Sequence, residues 1–329
     1  MGYLQTRAAK WGAAGGSAIV VLSLVIIVTA ETRHRDHKRT SAPQTSASPR
    51  PTPSSTTPNR PVRGTPTPTQ PSLAARATVT AALGKLAAQL PAGGVSVAAL
   101  NTKTGAHFSF GASGGMRTGS VAKLFVLDAL LAAHEREGTQ LGEDEQELAR
   151  AMIENSDNPA EYRLYLDVGG RDALVDLAAR LGMRHTVPGS DDPVLTTTSA
   201  EDALHLLAPL LAKPITVAGV HHQPLSAYSR SVALGFMRNV EADQRWGVSA
   251  VADPGTAVAL KNGWLSVDDN NGPGENDAGR WLVNSVGIVA VRGQQVLVSV
   301  FTQHGPDYLS GVHLVEALAK AVTPAVVAE

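Results

Sequence analysis

The chain contains no cysteine, which excludes disulfides, thiolate metal sites, a catalytic thiol and a lipid-modified amino-terminal Cys. It also lacks an excess of charge of either sign. With 28 Lys+Arg against 29 Asp+Glu, the formal net charge is −1, so no overall basic field holds a polyanion and nucleic acid is not an expected partner. Lysine is scarce, at 8 against 20 Arg, which makes each Lys inside a motif informative. What is present in quantity is apolar side chain, 43% of 329 residues, enough for a folded core.

The amino-terminal fifth stands apart from that core. After a short segment, residues 1–10, the run from Trp11 to Ala30 carries no charge. At ~1.5 Å per helical residue it has the length of a bilayer core of ~30 Å. It reads as a transmembrane anchor (residues 11–30) or, with Arg7 and Lys10 ahead of it and Val28-Thr29-Ala30 at its end, as a cleaved secretory signal. Arg33, Arg35, Lys38 and Arg39 follow the span, against a simple positive-inside orientation that exports the rest of the chain. Residues 31–72 form a linker. From Thr40 to Ser72, 9 of 33 positions are Pro and 14 are Ser or Thr, a composition that cannot bury enough apolar surface to offset its ordering entropy. A stalk behind an apolar span favours export, and an extracytoplasmic domain held at a membrane through residues 11–30.

Residues 73–329 have the size of one domain or of two closely packed lobes. Hydrophobic spacing predicts a helix over Ala74–Leu90 and strands over Val95–Leu100 and Ala106–Phe110, joined by the turn sequence Asn101-Thr102-Lys103-Thr104-Gly105. A helix over Ser120–Ala133 is followed by helices near Glu145–Glu154, Pro159–Val168, Arg171–Leu181, Ser199–Leu211 and Leu225–Val240. Val-rich strands over Ala257–Trp264, Trp281–Val291 and Gln295–Thr302 precede a closing helix over Tyr308–Val322. The expected fold class is α+β, a three-layer α/β/α arrangement. Its antiparallel sheet is assembled from both ends of the chain, with a helical lobe inserted between.

Within this pattern Ser120-Val121-Ala122-Lys123 places a hydroxyl at the start of a helix and an ammonium three residues on, on the same face. The helix start favours developing negative charge, and a desolvated Lys can accept the serine proton. Composition alone yields ~0.6 such pairs by chance, so the pair needs company. Two more segments supply it. Glu154-Asn155-Ser156-Asp157-Asn158-Pro159 sits between two helices, and Lys261-Asn262-Gly263-Trp264 ends a strand, where Gly permits close backbone approach.

In this order the three segments resemble those of the penicillin-recognising serine enzymes, closest to the class A β-lactamase branch, and the resemblance extends over Leu73 to Glu329. It implies Ser120 as acylated nucleophile, Lys123 as its base or shuttle, Ser156 as relay to the departing nitrogen and Asn158 as a ligand of the substrate amide. It further implies Lys261 as holder of a substrate carboxylate, with Asn262, Gly263 and Trp264 beside the substrate and the backbone N–H groups of Ser120 and Trp264 as the oxyanion hole. The substrate class implied is a β-lactam or a peptidoglycan stem peptide; no cofactor and no metal are expected, and the chain is expected to be monomeric.

The sequence departs from that family in three places. Only 36 positions separate Ser120 from Ser156, so the intervening segment is trimmed. Asn262 stands where the third motif has a hydroxyl residue. The stretch Gly182–Thr198, where the resemblance expects a deacylating carboxylate, holds no Glu; its candidates are Asp191 and Asp192, and Glu201 beyond them suits the first turn of a helix. Acylation is therefore expected with slow hydrolysis of the acyl-enzyme. A D-alanyl-D-alanine carboxypeptidase or transpeptidase, and a non-catalytic wall-binding relic, are the alternatives. His221-His222 reads as a surface pair ahead of a helix, Asp268–Asp277 as a polar hairpin loop, and Trp246 and Trp264 as packing residues.

Overall fold

The structure is a computed structural model that describes residues 72–267 and 279–327. The anchor and all but the last residue of the linker, and the acidic run Asp268–Asp277, lie outside the described residues. Among the described residues no helix is long and apolar enough to cross a membrane.

The domain opens with α1 (Leu73–Ala87), whose first turn is capped by the Ser72 hydroxyl accepting from Ala75 N at 3.1 Å. The hairpin of β1 (Val95–Asn101) and β2 (His107–Gly111) turns where the sequence places it. A short β3 (Met116–Arg117) leads through the 3-10 turn Gly119–Val121 into α2 (Ala122–Glu137), which stops at left-handed Gly138. Three helices follow: α3 (Glu143–Glu154), α4 (Asn158–Asp167) and α5 (Gly170–Leu181). Next come β4 (Thr197–Thr198), paired with β3, and α6 (Ala200–Leu207). The helix expected to reach Leu211 stops there because Pro209 has no N–H to continue it, and Ala208–Leu210 tightens into a 3-10 turn. The two-residue strands β3 and β4 are too short to leave a sequence period. The hairpin of β5 (Ile215–Val217) and β6 (Val220–His222) precedes α7 (Ala227–Arg238). The chain then closes with β7 (Ala259–Val267), β8 (Arg280–Val291), β9 (Gln294–Gly305) and α8 (Tyr308–Val322).

The main sheet runs β2-β1-β9-β8-β7, antiparallel at each pairing, so that β1 near the start of the domain lies against β9 near its end. Alternate residues of β1 face opposite cores. Val97 and Ala99 join Leu83 of α1 and Leu318 of α8, whereas Ala98 and Leu100 join Leu127 of α2 and Leu204 of α6. Both faces being covered, every residue of β1 is buried. Each such large apolar side chain contributes about 1.5–3 kcal/mol relative to exposure. This is the three-layer α/β/α arrangement, and its consequence for chemistry is that the 3-10 turn Gly119–Val121, which leads into α2, lies against β7.

Candidate active site

The serine turn is held by backbone crowding on one side and an amide clamp on the other. A methyl placed on Gly263 of β7 would lie 2.5 Å from Thr118 O and 2.9 Å from Ser120 N; only glycine lets the strand lie against the turn. Gly119, at φ +52°, brings the turn to the N–H of Trp264: its own Cβ position is 3.2 Å from that nitrogen. On the other side Asn284 of β8, fully buried, donates from Nδ2 to Arg117 O at 2.8 Å and to Thr118 O at 3.0 Å, and accepts from Thr302 N at 3.0 Å. Ser120, half-buried, thus sits where the N-terminal end of α2 meets Gly263 and the half-buried Trp264 of the third motif.

Lys123, the second residue of α2, is completely buried, and three acceptors surround its Nζ: Ser120 Oγ at 2.9 Å, Asn158 Oδ1 at 2.8 Å and Glu161 Oε2 at 2.8 Å. Three acceptors are the complement of an ammonium's three N–H bonds.

Two of those acceptors come from α4 because of how that helix begins. Asp157 caps it, its carboxylate accepting from Ala160 N at 2.7 Å, and Pro159 fits the first turn, where its missing N–H is not needed. Asn158 and Glu161, three residues apart, therefore share the face turned to α2. Ser156, just ahead, has φ +60°, a left-handed backbone that costs a serine of order 1–3 kcal/mol and aims its hydroxyl at Lys261.

Lys261, also fully buried, donates to Ser156 Oγ at 3.0 Å and to Asn262 O at 3.0 Å. Burial, and then the charge of Lys123, push its pKa down to about 7, with Glu161 opposing. The structure thus brings Ser120, Lys123, Ser156, Asn158, Lys261, Gly263 and the Trp264 backbone into one cluster.

Two expectations from the sequence are corrected, those at Asn262 and His222. Asn262 points away from that cluster. Its Nδ2 donates to Gln244 O at 2.8 Å and Trp246 O at 3.1 Å, because successive residues of β7 face opposite sides. Asp191 and Asp192 are exposed: Asp191 accepts from the Ser190 hydroxyl at 2.9 Å, and Asp192 caps Val194 N at 2.9 Å. Asp192 is still near enough for its charge to raise the pKa of Glu161. His222 is not a surface residue; it is buried in β6, its Nε2 2.8 Å from His205 Nδ1, and burial pushes the His205 pKa down to about 4. Trp246 and Trp264 pack as expected, edge to face at 6.0 Å, with Tyr308 against both.

The residue missed from the sequence is Glu161. It is 2% exposed, paired to Lys123 through Oε2, and its Oε1 is buried with no partner among the described residues. Burial raises its pKa, against the pull of Lys123. Its signal is the i+3 spacing from Asn158, outside the Gly182–Thr198 stretch where the resemblance directs a search. Elsewhere a cleft of ≈ 490 Å³ is lined by Ser109, Arg184, His185, Glu201 and His205; none of the clustered residues lines it, and chemistry rather than volume assigns the site.

Comparison with known proteins bears on this cluster. Over 231 residues the chain is 27% identical to a lipoprotein-named protein, LppW, of Mycobacterium tuberculosis and Mycobacterium bovis, covering 68% of each chain. Its fold is similar to that of the TLA-1 extended-spectrum β-lactamase, with a TM-score of 0.62, 16% identity and coverage of 76% of this chain and 99% of that one. It is also similar to PBP-A, with a TM-score of 0.61, 20% identity and coverage of 78% and 97%. The family model described as the β-lactamase enzyme family matches residues 144–326, more than half of the chain; the match takes in Ser156, Asn158, Glu161 and Lys261 and begins downstream of Ser120. The chain belongs to the β-lactamase enzyme family, within the penicillin-recognising serine hydrolases.

Proposed function

We propose that residues 73–329 form a serine acyl hydrolase in which Ser120 attacks the carbonyl carbon of a β-lactam or a peptidoglycan-type amide. The observation that carries this reading is the Lys123 Nζ–Ser120 Oγ contact of 2.9 Å inside a buried cluster. As the bond from Oγ to carbon forms, Lys123, having first released a proton to solvent, takes the serine proton across 2.9 Å, and Glu161 stays ionised. The N–H groups of Ser120 and Trp264 face the developing oxyanion. The departing nitrogen receives the proton of Ser156, which Lys261 restores across 3.0 Å. Below pH about 7, where Lys261 is an ammonium, it also holds a substrate carboxylate.

A mutant of the fold neighbour PBP-A is solved in an acyl-enzyme complex with penicillin G, which makes that compound the probe of choice. Incubation with penicillin G should add one penicilloyl group to Ser120 by mass spectrometry, and Ser120→Ala should abolish it. An adduct elsewhere, or none, overturns the reading. Release of terminal D-alanine from stem peptides separates a carboxypeptidase from a β-lactamase.

The domain is proposed to act outside the cytoplasm. The relative LppW is named a lipoprotein, but this chain has no Cys to carry a lipid; residues 11–30 are proposed to serve as anchor or signal, with residues 31–72 as the stalk.

A further inference from the structure

We propose that Glu161 is the general base of acyl-enzyme hydrolysis, taking the proton of an attacking water at Oε1 while Oε2 remains on Lys123. This rests on the serine acyl-enzyme reading above and reverses the expectation of slow hydrolysis, which followed from a loop without a suitable carboxylate.

Two observations carry it. First, the carboxylate is divided in function. Oε2 is engaged by Lys123 at 2.8 Å, whereas Oε1 is buried with no partner among the described residues, on a side chain 2% exposed. A buried carboxylate oxygen without a donor is costly and calls for a ligand that supplies one; a water, which also has lone pairs to attack with, meets that need. Second, Glu161 is two hydrogen bonds from the nucleophile, through Lys123 Nζ to Ser120 Oγ, which puts its carboxylate in the same cluster as an acyl group on that serine. The carboxylates of the Gly182–Thr198 loop are engaged elsewhere. Burial makes Glu161 a stronger base than an ordinary carboxylate, and Asp192 adds to this.

The step closes without an outside reagent. The water oxygen bonds to the acyl carbon as its proton passes to Glu161 Oε1. The tetrahedral adduct collapses by breaking the bond from carbon to Ser120 Oγ, and Lys123 protonates the departing alkoxide. Glu161 then returns its proton to Lys123. The product is a free acid, and all three side chains end as they began.

The test is a pulse of penicillin G on the full chain, followed by a chase and intact-mass measurement of the Ser120 adduct between pH 5 and 8. Wild type, Glu161→Gln and Glu161→Asp are compared. The wild-type adduct should decay, faster as pH rises through the Glu161 ionisation. Glu161→Gln should acquire the adduct, which itself shows a folded site, and lose it at least ~100-fold more slowly with no pH dependence; Glu161→Asp should recover part of the rate. Equal decay in wild type and Glu161→Gln overturns the proposal, as does a wild-type adduct that persists. Loss of labelling in a Glu161→Gln protein that melts like wild type assigns the carboxylate to acylation and also overturns it. Absence of any adduct on wild type removes the acyl-enzyme reading itself, and this proposal with it.

Discussion

Two lysines are completely buried within the same cluster, yet their surroundings differ in one group. Lys123 has a carboxylate 2.8 Å away, and Lys261 has only a hydroxyl and a carbonyl, each at 3.0 Å. Burial opposes an ammonium in both places. Glu161 lies in contact with Lys123, whereas Lys261, with no carboxylate in contact among the described residues, is driven down to about 7 by burial and then by the charge of Lys123. One lysine sits in a buried ion pair, and the other exchanges its proton near neutrality. A sequence motif names both as lysines; the counter-charge decides what each can do.

The largest expected effect comes from breaking the first environment. Lys123→Met leaves Glu161 buried without a cation, and loss of one partner of a buried pair should cost about 3–5 kcal/mol of stability, read from urea unfolding. The double variant Lys123→Met with Glu161→Leu should regain most of it. A loss under about 1 kcal/mol in the single variant would mean the pair is not formed in solution.

The second lysine offers a test by pH. Its folded pKa, about 7, lies below the unfolded value of 10.5. Between these the unfolded chain binds the extra proton, so this group makes stability rise with pH across that window, by about 1.4 kcal/mol per pH unit. Lys261→Met should remove that increment, seen as the difference between wild-type and variant unfolding free energies at pH 7, 8 and 9. The same variant should bind carboxylate-bearing β-lactams less well at pH 6. If the two proteins show parallel stability profiles, Lys261 titrates normally and the contrast between the lysines disappears.

The smallest effect is expected in the loop. Asp192→Ala removes the cap on Val194 N, worth about 1 kcal/mol, and should change adduct decay less than about threefold. A decay slowed as much as in Glu161→Gln would move the hydrolytic base back to the loop.

Much of this is legible in the sequence because it is local. The turn Asn101–Gly105, the strand spacing and the helix over Ser120–Ala133 follow from periodicity and capping, and the order of three short motifs locates the cluster. What is not legible depends on orientation across elements. Asn262 is expected beside a substrate, but the alternation of β7 turns its amide to Gln244 and Trp246. His222 reads as exposed, because nothing local reveals that His205, 17 residues earlier, lies against it. Glu161 escapes notice because resemblance directs the eye to a loop, while the i+3 spacing from Asn158 already puts a carboxylate on the right helix face. Where a family pattern lacks one group, the neighbours of the groups it does supply are the place to look.

Asn284 has a consequence for motion. Its one side chain ties the carbonyls of Arg117 and Thr118 to the backbone of Thr302 in β9, so the nucleophile hangs from the innermost strands rather than from a surface loop. Local fraying cannot release it: the serine turn opens only when the sheet does, and its amides should exchange with solvent as slowly as those of the most protected foldon. Reactivity at Ser120 is in that sense a readout of the whole domain's cooperativity.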